Sequence, residues 1–151
     1  MKIVITVGLP GSGKSTYLKR LRVNAISSDE IRRLIADDPE EQGIHARVFA
    51  TIRYLIRQRL AVGRPVTFVD ATHLTRWERR PYVRLARRYG CIAEVLFFDV
   101  PVDICILRNK LRGRKVPAQA IREMARRMQP PMLGEGFIRI IRPRMNANKR
   151  R

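Results

Sequence analysis

The sequence predicts an α/β fold, a parallel sheet covered by helices on both faces, on three observations. Short β-branched runs alternate with helix-period segments along the chain. The runs are continuously apolar rather than alternating, as strands buried on both faces require. Apolar residues make up 45% of the composition, enough to cover two sheet faces. A length of 151 residues suits one core. One domain over residues 1–141 and a basic tail over 142–151 are therefore expected, with no internal repeat.

Each element follows from local signals. KIVITV, residues 2–7, is a β-branched strand bounded by Gly8, and a helix is expected from about Gly13 to Leu21. AISS is a short strand ending near Ser28, and IRRLIA continues as a helix from Asp29. DDPEEQG has the composition of a loop. Ile44, Val48, Ile52, Leu55, Ile56 and Leu60 recur every three or four residues, which predicts an amphipathic helix ending at Gly63. PVTFVD is a buried strand ending at Asp70, and Trp77 to Tyr89 is helical with Gly90 as its stop. CIAEVLFFD is the next strand, and PVDICILRNKLR a helix with Pro101 in its first turn. GRKVP is a basic break before the helix AQAIREMARRM, and FIRII is the last strand. RPRMNANKRR closes the chain as a basic segment expected to fray.

Ligands of such sheets gather at the carboxyl ends of the strands, where Gly8, Asp29 and Asp70 all fall. Gly8 to Ser15 reads GLPGSGKS, the G-x-x-x-x-G-K-[ST] spacing, and it leaves a strand to enter a helix. Gly8, Gly11 and Gly13 let the backbone curl until its N–H groups point inward at phosphate oxygens. Ser12 and Thr16 complete the loop and the first helical turn, whose partial positive charge favours an anion. Lys14 supplies a full charge to the β- and γ-phosphates of ATP. The Ser15 hydroxyl suits Mg²⁺, with Asp70 as the carboxylate near the metal shell. The fold is thus expected to be a P-loop NTPase or kinase fold with a helical lid. The guanine-reading N-K-x-D string of a GTPase switch is missing, since Asn109-Lys110-Leu111-Arg112 lacks the aspartate.

Phosphoryl transfer to an alcohol needs a carboxylate to accept the hydroxyl proton and cations to hold the developing charge. Asp29, in SSDEIRR, is the candidate base, although a helix N-cap is an equally good reading of its position. Arg32 lies one turn later, placed to hold an acceptor phosphate in a forked contact. After Asp70, Thr72 and His73 are candidate acceptor contacts. Arg108 and Arg112, spaced by four, are expected on one helix face leading into a mobile lid over the phosphates. A solvated basic face would read the same way.

Thirty-two basic residues against thirteen acidic ones give a formal charge of +19. Twenty basic and six acidic residues follow Thr75, so +14 of it lies there. Such a bias attracts polyanions, and DNA or RNA is the expected partner, with a merely arginine-rich solvated surface as the alternative. Cys91 and Cys105 lie in apolar runs without metal-site spacing, and His45 and His73 are isolated, so no zinc cluster is expected. No stretch reaches the roughly 20 apolar residues of a membrane span. A glycine-rich loop begins where a leader's cleavage site would fall, so the chain is expected to be cytoplasmic.

GLPGSGKST, SSDEIR, VDATHLTRWERR, FFDVP and LRNKLRGRKVP occur in that order. In them the chain resembles the 5′-hydroxyl polynucleotide kinase family of phage and bacterial end-healing enzymes, over roughly residues 1–130. The resemblance implies that Asp29 is the general base and Arg32 contacts the acceptor phosphate. It implies that Arg108 and Arg112 bind ATP phosphates and the transition state, and that Lys14 and Ser15 are the phosphate-loop pair. Asp70 matches a carboxylate beside acceptor and metal. Related chains often read D-x-T-N where this one has Asp70-Ala71-Thr72-His73. The expected reaction is transfer of the ATP γ-phosphate to a 5′-hydroxyl of DNA or RNA. A kinase of a small alcohol, or an ATP-dependent nucleic-acid-binding module without turnover, remains open.

Overall fold

The structure, a computed structural model, describes residues 1–112 and 116–144. Five parallel strands form one sheet in the order β2-β3-β1-β4-β5: β1 Lys2–Val7, β2 Ala25–Ser27, β3 Val66–Asp70, β4 Ile92–Phe97 and β5 Arg139–Ile141. All five stand where the apolar runs predicted them. The helices are α1 Lys14–Arg20, α2 Ser28–Ala36, α3 His45–Ala61, α4 Arg76–Arg88, α5 Val102–Lys110 and α6 Ala118–Arg127.

Alternation along β1 divides the core. Ile3, Ile5 and Val7 face one side, where they pack with Val48, Ile52 and Ile56 of α3 and Tyr82, Val83 and Ala86 of α4. Val4 faces the other with Leu96, Phe98 and Leu18 of α1. A third cluster joins α5 and α6 through Cys105, Ile106 and Ile121, and rests on Leu9 and Leu74, the residues that follow β1 and β3. The helical layer expected of a lid is therefore seated directly on the loops at the carboxyl end of the sheet.

Two elements begin differently from their expectation. The helix after β2 starts at Ser28, and its N-cap is Ser27, whose hydroxyl accepts a hydrogen bond from Glu30 N at 3.3 Å. Asp29 is consequently inside the first turn, favoured there by the helix dipole, and is not the cap. Pro101 is likewise the N-cap of α5 rather than a residue of its first turn. Of the expected basic break, Gly113 to Lys115 lie outside the described residues, as does the tail from Met145 onward.

The chain leaves β1 toward β2 at one edge and β4 toward β5 at the other, although β1 and β4 are neighbours. That reversal opens a crevice at their carboxyl ends. No helix among the described residues is long and apolar enough to cross a membrane.

Candidate active site

The phosphate loop turns through two left-handed glycines, Gly11 at φ 83° and Gly13 at φ 96°. Space is as restrictive as φ at Gly11: a Cβ there would stand 2.3 Å from the Cys105 carbonyl oxygen on α5. Gly13 caps α1 without a side chain, so the first N–H groups of the helix have no intrahelical partner and face the crevice end of the sheet. Gly8 N donates to Thr72 O at 3.0 Å and Ser12 N to Leu9 O at 3.1 Å, which fixes the loop at both ends. Ser12 is buried, and Thr16 is exposed in the first turn of α1.

Lys14 is folded into this loop. Its Nζ donates to Gly8 O at 2.9 Å and Leu9 O at 2.8 Å. Burial lowers its pKa to about 8, opposed by the charges of Asp70 and Asp29, while Arg112 lowers it further. The ammonium therefore feels Asp70, Asp29 and Arg112 at once: residues far apart in sequence share one electrostatic neighbourhood.

Ser15 Oγ donates to Asp70 Oδ2 at 2.7 Å. A hydroxyl and one carboxylate, both hard oxygen donors, suit Mg²⁺, which completes its shell with phosphates and water. Among the described residues no group of three or more His, Cys, Asp or Glu could hold a metal ion.

In the β2–β3 ladder Ser27 stands opposite Asp70, so Asp29 leaves the sheet at the same level as Asp70. The Asp29 side chain is 46% exposed, and its Oδ1 lies 3.7 Å from Nη1 of the nearly buried Arg32. Arg108 of α5 has Nη1 buried without a hydrogen-bond partner. A buried cationic donor left open in this way suits an anionic ligand. Arg112 does not share a helix face with Arg108, because α5 ends at Lys110. Arg112 N bonds back to Asn109 O at 3.2 Å, and Asn109 Nδ2 donates to Val116 O at 2.6 Å, which bends the chain away from the helix axis.

The expectation for His73 is corrected. Its ring is fully buried, with Nδ1 at 2.6 Å from Thr6 O and Nε2 at 2.8 Å from Tyr82 Oη. Both nitrogens are engaged, and burial lowers its pKa to about 4, so a neutral imidazole ties β1 to α4 and is not presented to an acceptor. Thr72 is half-buried and meets the phosphate loop through its carbonyl.

Sequence reasoning missed Arg79. This fully buried guanidinium holds Glu135 through Nε at 2.8 Å and Nη2 at 3.1 Å, and donates to the carbonyls of His73, Leu74 and Gln129. It braces the loop after β3. The available signal was its spacing of three and four from Tyr82 and Val83, on the apolar stripe of α4.

Residues 3–131 match the model of the AAA domain family (AAA_33). The chain belongs to that family. Within it, this AAA domain is similar to the L-seryl-tRNA(Sec) kinase of Methanococcus maripaludis, 22% identical over 136 residues that cover 85% of this chain and 53% of the relative. The chain thus spans about half the length of that curated relative. In fold it is similar to a chain of the Pnkp1/Rnl/Hen1 RNA repair complex, with TM-score 0.66 and 23% identity over 83% of this chain and 43% of that one. It is also similar to a gluconokinase from Sinorhizobium meliloti, with TM-score 0.56 and 19% identity over 93% of this chain and 81% of the other. With the five-stranded parallel sheet, these likenesses make the fold that of a P-loop kinase.

Proposed function

We propose that the chain transfers the γ-phosphoryl group of ATP to the 5′-hydroxyl end of DNA or RNA. The observation that carries this reading is the Asp29–Arg32 pair, held at the level of Asp70 and within the electrostatic reach of Lys14. A carboxylate beside a guanidinium at that place serves an acceptor bearing both a hydroxyl and a phosphate, as the 5′-terminal nucleotide of a strand does. The RNA repair complex and the seryl-tRNA kinase among the similar proteins support an RNA-related acceptor. So does the +14 carried after Thr75, for which a small neutral substrate has no use.

In this reading the loop from Gly8 to Thr16 holds the phosphates with backbone N–H groups, and Lys14 exchanges its contacts with the loop carbonyls for phosphate oxygens. Ser15 and Asp70 would hold Mg²⁺, which when bound neutralises phosphate charge. Arg32 orients the acceptor through its phosphate. Asp29 takes the hydroxyl proton as the oxygen bonds to the γ-phosphorus, and the bond from that phosphorus to the β–γ bridging oxygen breaks, releasing ADP. Arg108 and Arg112 meet the charge on the transferring group from the α5 side.

The gluconokinase likeness, extending over most of both chains, favours a second reading: a kinase of a small polyhydroxy acid or sugar. Both readings use Asp29 in the same way. Asp29→Asn keeps the shape and removes the base, so turnover on a 5′-hydroxyl oligonucleotide is expected to fall about 100-fold or more. ATP affinity should change less than threefold. Undiminished turnover in that variant would refute the assignment of the base.

A further inference from the structure

Away from the cleft, the outer face of α4 carries a row of exposed arginines. Arg76, Trp77, Arg80, Arg84 and Arg88 follow one another at helical spacing on its solvent side, and Arg53 of α3 faces them. Trp77 is 76% exposed. Its ring lines a groove of about 410 Å³ together with Arg53, Arg80, Arg84 and Arg88, and a second of about 280 Å³ together with Arg76, Arg80, Val83 and Glu135. The one carboxylate lining either groove is Glu135, already held by buried Arg79. Among the described residues none of these surface arginines has an acidic partner.

We infer that this face is a binding platform for single-stranded nucleic acid, in which a base stacks on Trp77 and the backbone phosphates run along Arg80, Arg84 and Arg88. Charge complementarity selects a polyanion: four arginines wall the larger groove and no carboxylate does. The indole selects a single strand within that class, because a π-face receives an unpaired base, whereas a duplex offers only its groove edges. The ring already accepts a cation, with the Arg80 guanidinium 5.9 Å from its centroid, so Arg80 is placed to sandwich or follow a stacked base. α4 begins close behind the carboxyl end of β3, so Trp77 is at the cleft end of the helix and Arg88 at the far end. A strand lying along α4 would thus lead toward the cleft. That direction rests on the kinase reading, but the platform does not.

Trp77 is the sole tryptophan of the chain, so its emission reports on this surface alone. The test is a titration of the full chain, without ATP, with a short single-stranded oligonucleotide of RNA or DNA at several salt concentrations. Saturable quenching of the indole is expected, stronger than with a duplex of the same sequence. The slope of log affinity against log salt should flatten by about 1.4 in Arg84→Ala/Arg88→Ala, which removes two phosphate contacts. Trp77→Ala, followed by the anisotropy of a labelled oligonucleotide, should bind about tenfold more weakly. Binding without a change in emission, equal quenching by duplex, or an unaltered salt slope in the double variant would overturn the platform. So would an emission shift on phosphatidylserine vesicles but not on oligonucleotides, which would make the face a lipid surface. Quenching without phosphoryl transfer would refute the kinase reading alone, and transfer without quenching would refute the platform alone.

Discussion

Lys14 and His73 are both buried bases, with opposite reasons for being there. Lys14 sets its ammonium against the loop carbonyls of Gly8 and Leu9, whereas His73 is held neutral between Thr6 O and Tyr82 Oη. The backbone at His73 is left-handed, φ 46°, a region that Asn, Asp and His enter more readily than most residues. A histidine is therefore accommodated at this position without the backbone penalty most residues would carry. It also sets a pH dependence. An unfolded chain protonates this imidazole near pH 6.5 and the folded one only near 4, so between those values the unfolded state binds more protons. Stability is therefore lost as pH falls through that window, by about 3 kcal/mol at full effect. Unfolding free energies measured from pH 7 to 4 should show that loss, and His73→Asn should lessen it. Equal slopes in the two proteins would contradict the buried neutral imidazole. The phosphate loop was readable residue by residue because its spacing is tied to glycine geometry. The burial of His73 was not, because a histidine after a strand end looks the same whether it faces a substrate or the core.

Among the elements, α4 illustrates how much an amphipathic pattern conceals. A helix stopped by Gly90 was expected here, and Gly90 takes φ 64° just past the helix end. Nothing in the pattern marked Arg79 as the residue that binds the helix to the loop after β3 and to Glu135. A charged residue on an apolar stripe is usually exposed, and only the tertiary position of Glu135 makes its burial tolerable. Arg79→Ala would leave that carboxylate, 10% exposed, without its ion-pair partner, and would take one hydrogen bond from each of three carbonyls, of which Leu74 O keeps another donor, Gln129 N. A loss of about 3–5 kcal/mol in denaturant unfolding is expected. A loss below about 1 kcal/mol would mean that the network contributes little. α2 and α5 differ from expectation for similarly local reasons. Ser27 takes the cap that Asp29 was equally suited to fill, and Asn109 turns the chain before Arg112 can align with Arg108.

At the scale of the whole molecule, the parallel sheet was legible because all five strands are apolar runs separated by helices. Their spatial order was not, since β2 lies at the edge beyond β3 and no residue pattern announces that crossover. The order matters for function: it places Ser27 against Asp70 and β1 against β4, and so gathers Lys14, Ser15, Asp29 and Asp70 at one end of the sheet. In the proposed reading, the charge of +19 draws polyanions toward the end of the sheet where the phosphate loop and Asp29 lie. The most direct test of this account is transfer of label from γ-labelled ATP, with Mg²⁺, to DNA and RNA oligonucleotides that end in a 5′-hydroxyl. Matched strands already carrying a 5′-phosphate, and gluconate as a small alcohol, complete the comparison. The account predicts label on the 5′-hydroxyl strands and none on the 5′-phosphate strands. Label on gluconate alone, or tight ATP binding with no labelled oligonucleotide, would contradict it.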